Sequence, residues 1–294
     1  MDLSLDRALP ESGLVVLAGA TASGKSDLAL RIARERGLSV VSADSRQIYR
    51  GMSIGTAAPS AEELRSVRHY FIGTLDPAER YSAYDYAREA LPVIEREVAE
   101  RGSVLAVGGS YLYLRSLLYE TDEIPEVPEE IRRDALALFR EKGLEAVRMR
   151  LRELDPEYLA KVDPGNYRRL LRALEVSEAT GRPFSSFHTG TRRRPPYPVT
   201  VLLIERDRKA LYRRIELRTD RMIAAGLVEE VRRLTPFREC NALQTIGYAE
   251  IFEYLYGSLD LQESVRLIKK NTKAFARHQI TSFKHLPTDL VLRL

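Results

Sequence analysis

The chain has 294 residues, enough for one large domain or two modest ones. Apolar residues make up 44%, so a buried core can form, and a formal net charge of +4 is too small to imply nucleic acid by itself. The single cysteine, Cys240, excludes an intrachain disulfide and a cysteine-based zinc site, and it suits a reducing compartment.

The opening segment, MDLSLDRALPESG, has no basic start followed by an apolar stretch, so no secretory signal is expected. The run Leu14 to Ala20 is too short to span a bilayer, and a soluble cytoplasmic protein is expected. Leu14 to Ala18 reads as a strand buried on both faces, as in a parallel sheet. Leu28, Ala29, Ile32 and Ala33 then take helical spacing up to Gly37. Leu38 to Ala43 predicts a second strand, and a shorter one is expected near Tyr70 to Ile72. Ser82 can cap a helix with Leu91, Ile94 and Val98 on one face. Val104 to Val107 reads as another buried strand, followed by Gly108-Gly109 and a helix through Leu118. Strands alternating with helices predict an α/β domain with a parallel sheet.

Beyond Pro125 and Pro128 the pattern changes to helical periodicity alone, carried by Ile131, Ala135 and Leu138, then Leu144, Val147 and Leu151, then Leu170, Leu171 and Leu174. Gly181-Arg182-Pro183 closes this region, and Arg192 to Pro196 reads as a linker. Val199 to Ile204 restores a strand. Helices follow over about 209–234, 248–256 and 262–285, with a last strand at 290–292. The expected fold class is therefore α/β: a P-loop NTPase-like parallel sheet flanked by helices, with an all-helical insertion domain. Residues 1–122 and 197–294 are expected to form the catalytic core and 123–196 the insertion.

Gly19-Ala20-Thr21-Ala22-Ser23-Gly24-Lys25-Ser26 satisfies G-x-x-x-x-G-K-[ST] between the first strand and first helix. The glycines let backbone N–H groups turn inward toward phosphate oxygens, and the helix adds its positive end. Lys25 supplies a point charge and Ser26 a hydroxyl for Mg²⁺. The motif does not name its ligand. No N-K-x-D motif is present to read a guanine base, and Val104 to Val107 runs into glycine where an ATPase carries its metal-binding aspartate. Asp44 follows the second strand, at the sheet end where ligands of open α/β sheets bind. Position alone leaves two roles open: a general base or metal-bound water partner, or a turn cap. The glycines and polar groups of Gln47 to Ala57 suggest a structured surface loop rather than a packed element.

Several segments in order resemble the tRNA dimethylallyltransferases, also called tRNA isopentenyltransferases (the IPP transferase family). They are the P-loop, S-A-D-S-R-Q-I-Y-R-G-M-S-I-G-T-A at Ser42 to Ala57, V-G-G-S-Y-L-Y at Val107 to Tyr113, N-Y-R-R-L-L-R-A-L-E-V at Asn166 to Val176, and L-Q-T-I-G-Y at Leu243 to Tyr248. They cover most of the chain. The resemblance implies transfer of a dimethylallyl group from dimethylallyl diphosphate to N6 of the adenine 3′ of the anticodon, in tRNAs reading codons that start with U.

The resemblance also implies roles. Asp44, Lys25, Ser110 and Arg218 would be catalytic, with Asp44 taking the amine proton. Gly19, Ala20, Thr21, Ala22, Ser23, Gly24, Lys25, Ser26 and Arg218 would bind the diphosphate, with Ser26 as the Mg²⁺ ligand. Asp44, Ser45, Arg46, Gln47, Ser110, Arg132, Arg168, Arg169, Arg172, Gln244, Gly247 and Tyr248 match tRNA-binding positions. The expected partners are the tRNA anticodon stem-loop and dimethylallyl diphosphate, with no membrane and a monomeric chain.

Two departures stand out. Ser110 replaces the usual threonine after the paired glycines. Thr281-Ser282-Phe283-Lys284 replaces Thr-Trp-Phe-Arg, in a chain with no tryptophan. The histidines, His69, His188, His278 and His285, form no metal-ligand spacing. Two other readings share the P-loop: a small-molecule or nucleoside kinase, which the long insertion and the Asp44 segment fit poorly, and a noncatalytic RNA-binding protein, which the intact Lys25, Ser26 and Asp44 oppose.

Overall fold

The computed structural model describes residues 9–120, 123–187 and 191–294, so His188 and the first eight residues lie outside it. Strand β1, Gly13–Gly19, is buried along its whole length. Helix α1, Lys25–Arg36, follows the loop and ends at Gly37, whose N–H bonds the Ala33 carbonyl. Strand β2, Val40–Ser42, is shorter than the apolar run around it, and short helix α2, Ala61–Ser66, precedes strand β3, His69–Tyr70. Helix α3, Ala83–Arg101, starts at Ser82 in a reciprocal capping box with Asp85. Its buried face is centred on Ile94, with Leu91 and Val98 half-buried. Strand β4, Ser103–Gly108, and helix α4, Tyr111–Leu118, complete this half of the sheet.

The chain then builds a separate compact unit, Tyr119–Arg193. Helix α5, Glu129–Leu154, breaks at Gly143 (φ 76°). Helix α6, Pro156–Lys161, and helix α7, Tyr167–Thr180, follow. Val147, Leu151, Leu170, Leu171 and Leu174 meet in one core with Phe184 and Phe187, so the periodic apolar positions face inward. Asp155 is fully buried and ties this unit together. Its carboxylate accepts from the Tyr158 N–H and from the N–H and hydroxyl of Ser185.

The chain returns to the first unit, which spans Met1–Leu118 and Arg194–Leu294. Strand β5, Val199–Glu205, leads into helix α8, Arg208–Ala224, and helix α9, Leu227–Arg233. Helix α10, Tyr248–Leu255, helix α11, Leu261–Phe283, and strand β6, Leu290–Arg293, close it. The described strands form one parallel sheet in the order β3-β2-β4-β1-β5-β6. Ala18 pairs with Gly108 and Ser42 with Val107, so the C-terminal ends of β1, β4 and β2 lie side by side. That edge is where the loops carrying Lys25, Ser110 and Asp44 begin.

The segment 47–57 differs from the surface loop expected of it. Ile48, Tyr49 and Met52 are at most 4% exposed and pack with Leu227, Val231, Tyr248, Ile251 and Ile268. Burying each apolar side chain contributes about 1.5–3 kcal/mol. The irregular segment is therefore as firmly packed as a core element.

Candidate active site

The phosphate loop is anchored from outside. Ala20 packs with Leu211 and Ile215 of α8 and Ala276 of α11. Arg206 Nε donates to the Ser23 carbonyl at 3.0 Å, and Arg214 Nε donates to the Ala22 carbonyl at 2.9 Å. The Thr21 N–H donates to Gln279 Oε1 at 2.8 Å, and Gln279 Nε2 donates to the Gly109 carbonyl at 2.9 Å. Helix α11 is thereby fastened to the loops after both β1 and β4. The Ser23 hydroxyl is buried and bonds no described residue. Such an orphaned hydroxyl suits a ligand oxygen.

Two cations belong to this cradle. Lys25 Nζ donates to the Ala20 carbonyl at 3.3 Å. Loss of hydration pulls its pKa down to about 8, and Asp44 partly opposes that shift while Arg218 adds to it. Arg218, on α8, donates to the Thr21 hydroxyl and the Thr56 carbonyl, each at 3.2 Å. Burial lowers its pKa, again opposed by Asp44, and the guanidinium remains a cation. Two half-buried, partly dehydrated cations beside the Asp44 carboxylate make a site whose charge suits an anion.

On the neighbouring strand ends, Asp44 Oδ1 accepts from the N–H groups of Arg46 at 3.0 Å and Gln47 at 3.4 Å. This turn leaves Oδ2 without a bond from any described residue. The turn-cap role that position left open is therefore present, carried by one carboxylate oxygen. The Ser110 N–H donates to the Ala43 carbonyl at 3.2 Å, and Ser110 Oγ accepts from the Ser45 N–H at 2.9 Å. These bonds staple the β2 and β4 ends together. A Cβ at Gly108 would lie 2.0 Å from the Ala43 carbonyl oxygen. No side chain fits there, which is the physical reason that β4 runs into glycine.

Gln47 extends the same network. It accepts from the Ser42 hydroxyl at 3.2 Å and donates Nε2 to the Thr56 and Ala57 carbonyls at 3.3 and 3.1 Å. The Thr56 carbonyl therefore bonds Gln47 on the Asp44 side and Arg218 on the phosphate side. Arg46 is half-buried and donates to Asn241 Oδ1 at 3.2 Å. The structure thus gathers Lys25, Asp44, Ser45, Gln47, Ser110 and Arg218 into one bonded and charge-coupled group. Ser26 lies beside it on the first turn of α1, with its residue exposed.

Other expected contacts separate. Tyr248 is fully buried, and its hydroxyl donates to Glu230 at 2.6 Å, so its side chain does not offer itself to RNA. This corrects the expectation for Tyr248, which is a core residue. Gly247 is buried and gives its N–H to Glu250, while Gln244 is exposed. Phe283 is 1% exposed, so the aromatic near the chain end packs inward instead of presenting a stacking face.

In the helical unit, Arg168 and Arg169 are exposed on the first turn of α7, and Arg168 lies over the Tyr167 ring at 5.8 Å. Arg172 and Arg132 are half-buried and pair with Glu175 and Glu129, each at 3.7 Å.

Sequence reasoning missed Gln279, Arg206, Thr56 and Glu230, all of which meet the site through long-range contacts. Arg214 had a usable signal. It precedes Arg218 by one helical turn, so both face the same way. Among the described residues, no group of three or more His, Cys, Asp or Glu could hold a metal ion, and no helix is long and apolar enough to cross a membrane.

The sheet order, the loop and its cations define a P-loop α/β protein. The profile of the IPP transferase family matches residues 47–286. The chain is 42% identical over 271 residues to tRNA dimethylallyltransferase 1 of Porphyromonas gingivalis, covering 92% of this chain and 90% of that protein. It is 41% identical to tRNA dimethylallyltransferase 1 of Bacteroides thetaiotaomicron, covering 92% and 88%. Among solved structures, the full-length tRNA isopentenylpyrophosphate transferase of Bacillus halodurans matches with a TM-score of 0.67 at 33% identity, covering 96% of this chain and 90% of that one. A eukaryotic dimethylallyltransferase described as acting on tRNA matches in fold, with a TM-score of 0.80 at 23% identity over 96% and 74%. The chain belongs to the IPP transferase family, as the motifs implied.

Proposed function

We propose that this chain moves a dimethylallyl group from dimethylallyl diphosphate to N6 of the adenine 3′-adjacent to the anticodon, in tRNAs reading codons that start with U. The observation that carries this reading is the half-buried pair of cations, Lys25 and Arg218, charge-coupled to Asp44 at a neighbouring strand end. The pair suits a leaving diphosphate, and the carboxylate suits an attacking amine.

In the reaction the N6 lone pair attacks the first carbon of the prenyl group, and that carbon's bond to the diphosphate oxygen breaks. Lys25, Arg218 and the loop amides, with the orphaned Ser23 hydroxyl, neutralise the charge that builds on the departing group. Asp44 Oδ2 accepts the proton that N6 gives up. An aromatic amine is a weak nucleophile, so orientation and proton removal both count. Ser110 and Ser45 hold the Asp44 turn against β4.

Mg²⁺ would be held by the Ser26 hydroxyl together with diphosphate oxygens and water. The donor set fits: the ion favours hard oxygens and keeps much of its water and phosphate coordination. When bound, it supplies further charge neutralisation on the diphosphate.

The target adenine starts in a folded loop and must leave the stack to reach Asp44. Arg168 and Arg169, with Arg132 and Arg172, are assigned to RNA phosphates, and Ser45, Arg46, Gln47 and Gln244 to the anticodon loop. One chain supplies every group named, so no second copy is needed, and a tRNA substrate points to the cytoplasm. The test is incubation with labelled dimethylallyl diphosphate, Mg²⁺ and unmodified tRNA, followed by nuclease digestion. Label in N6-(dimethylallyl)adenosine is expected. ATP hydrolysis with no label in RNA would favour a kinase and overturn the proposal.

A further inference from the structure

The segment Ser53 to Ala57 bonds both halves of the reaction centre, through the Thr56 carbonyl to Arg218 and through the Thr56 and Ala57 carbonyls to Gln47. Ile54 packs against the core around Met52 and Leu227, but the irregular backbone of this segment still needs acceptors for its N–H groups. The anchor is Glu230 of α9, only 1% exposed. Its carboxylate accepts from the Ile54 N–H at 2.8 Å, the Gly55 N–H at 2.9 Å, the Ser53 hydroxyl at 3.2 Å and the Tyr248 hydroxyl at 2.6 Å. Four donors converge on two oxygens, a match for the lone pairs of a carboxylate.

Tyr248 closes the arrangement from the other side. A Cβ on Gly55 would lie 2.5 Å from the Tyr248 ring, so the backbone rests directly against the hydroxyl-bearing end of that ring. Burial, reinforced by Glu230, raises the pKa of the Tyr248 phenol, which keeps it a donor. The anchor is remote in sequence from the segment it holds: Glu230 reaches Ile54 across 176 residues.

We infer that Glu230 is a positioning residue for prenyl transfer, acting through the 53–57 segment to hold Arg218 against the diphosphate and Gln47 beside Asp44. It touches neither substrate. The inference rests on the reading of Arg218 as a diphosphate ligand. In Glu230→Gln the side chain keeps its shape, but its NH₂ must face one of the two backbone N–H groups. Whichever way the amide turns, Ile54 or Gly55 loses its acceptor. Thr56 then shifts, and Arg218 loses one of its two fixing bonds.

The experiment is a double-mutant cycle with Glu230→Gln, Arg218→Gln and their combination, reading KM for dimethylallyl diphosphate, kcat at saturating donor, and Tm. Glu230→Gln is expected to raise the donor KM about tenfold and to add little once Arg218 is already Gln. A second variant, Tyr248→Phe, removes one donor and keeps the ring on Gly55. It is expected to raise the donor KM about threefold, also coupled to Arg218, and it carries the test if Glu230→Gln does not fold. A purely structural role would lower Tm and leave the donor KM unmoved. That outcome, or effects of Glu230 and Arg218 that simply multiply, overturns the inference. An unaltered donor KM in Arg218→Gln alone contradicts both the diphosphate reading and this inference. An impaired Arg218→Gln with independent Glu230 contradicts only the latter.

Discussion

The two compact units hold some of their arginines in contrasting ways. In the sheet unit, three arginines beside the phosphate loop are fixed by hydrogen bonds. Arg206 and Arg214 bond loop carbonyls, and Arg218 bonds Thr21 and Thr56. In the helical unit, Arg168 and Arg169 stand exposed at the start of α7, over a core built from Leu170, Leu171 and Leu174. Chemistry on a leaving group rewards charges fixed in advance in a dry site. Gripping an RNA backbone rewards accessible charges that displace counterions, with little demand on exact placement. The contrast predicts that substitutions in the two units damage different steps.

The largest effect is expected at Asp44. Asp44→Ala should reduce prenyl transfer by about a hundredfold to ten-thousandfold, the usual reach of a positioned general base. Binding of tRNA, measured by filter retention, should survive. Near-normal turnover would remove Asp44 from the mechanism.

Next is Lys25. Lys25→Ala should weaken dimethylallyl diphosphate by roughly a hundredfold, since a charge-assisted contact in a dehydrated site is lost. A pH effect accompanies it. In the ligand-free site Lys25 gives up its proton near pH 8 instead of 10.5. Above that pH the cradle holds one cation fewer, so kcat/KM for the donor should fall as pH rises through about 8. In Lys25→Ala this fall should be absent. The same depression acts oppositely on stability. Between about 8 and 10.5 the unfolded chain retains a proton that the folded chain has lost, so the Lys25 contribution to stability rises with pH.

Smaller effects belong to the helical unit. Arg168→Ala combined with Arg169→Ala should weaken tRNA binding several-fold and flatten its salt dependence by roughly one to two ions. The donor KM should stay at the wild-type value. An unchanged salt slope would show that these arginines face solvent only. Smallest of all, Asn166→Ala removes the side chain that accepts from the Arg169 N–H at the start of α7. Loss of this cap should cost about 1 kcal/mol in denaturant melts. A change in donor affinity there would break the separation between the units.

Much of this was legible in the sequence because it is local. The phosphate loop is eight contiguous residues, Gly19 to Ser26, and Asp44 announces itself where an apolar run ends. The helical insertion follows from periodicity alone. What sequence could not supply is the set of bonds made at a distance. Gln279 meets Thr21 from 258 residues away, and nothing about a glutamine in a helix signals that partnership. The 47–57 segment has no helical or strand period, so Ile48 and Met52 looked like loop residues. Only the folded chain brings α9, α10 and α11 over them. Tyr248 differs from its motif expectation for a related reason: a motif match gives a position and not an exposure, and the fold buries this ring.

The occupant of the loop at Gly19 to Ser26 decides the chemistry of this chain. Calorimetric titration of the intact chain with dimethylallyl diphosphate and Mg²⁺, beside a matched titration with ATP, tests this directly. Binding of the prenyl diphosphate that collapses in Lys25→Ala, with ATP bound far more weakly, is the result predicted. ATP binding as tightly or more tightly, with no response to the prenyl diphosphate, would contradict it.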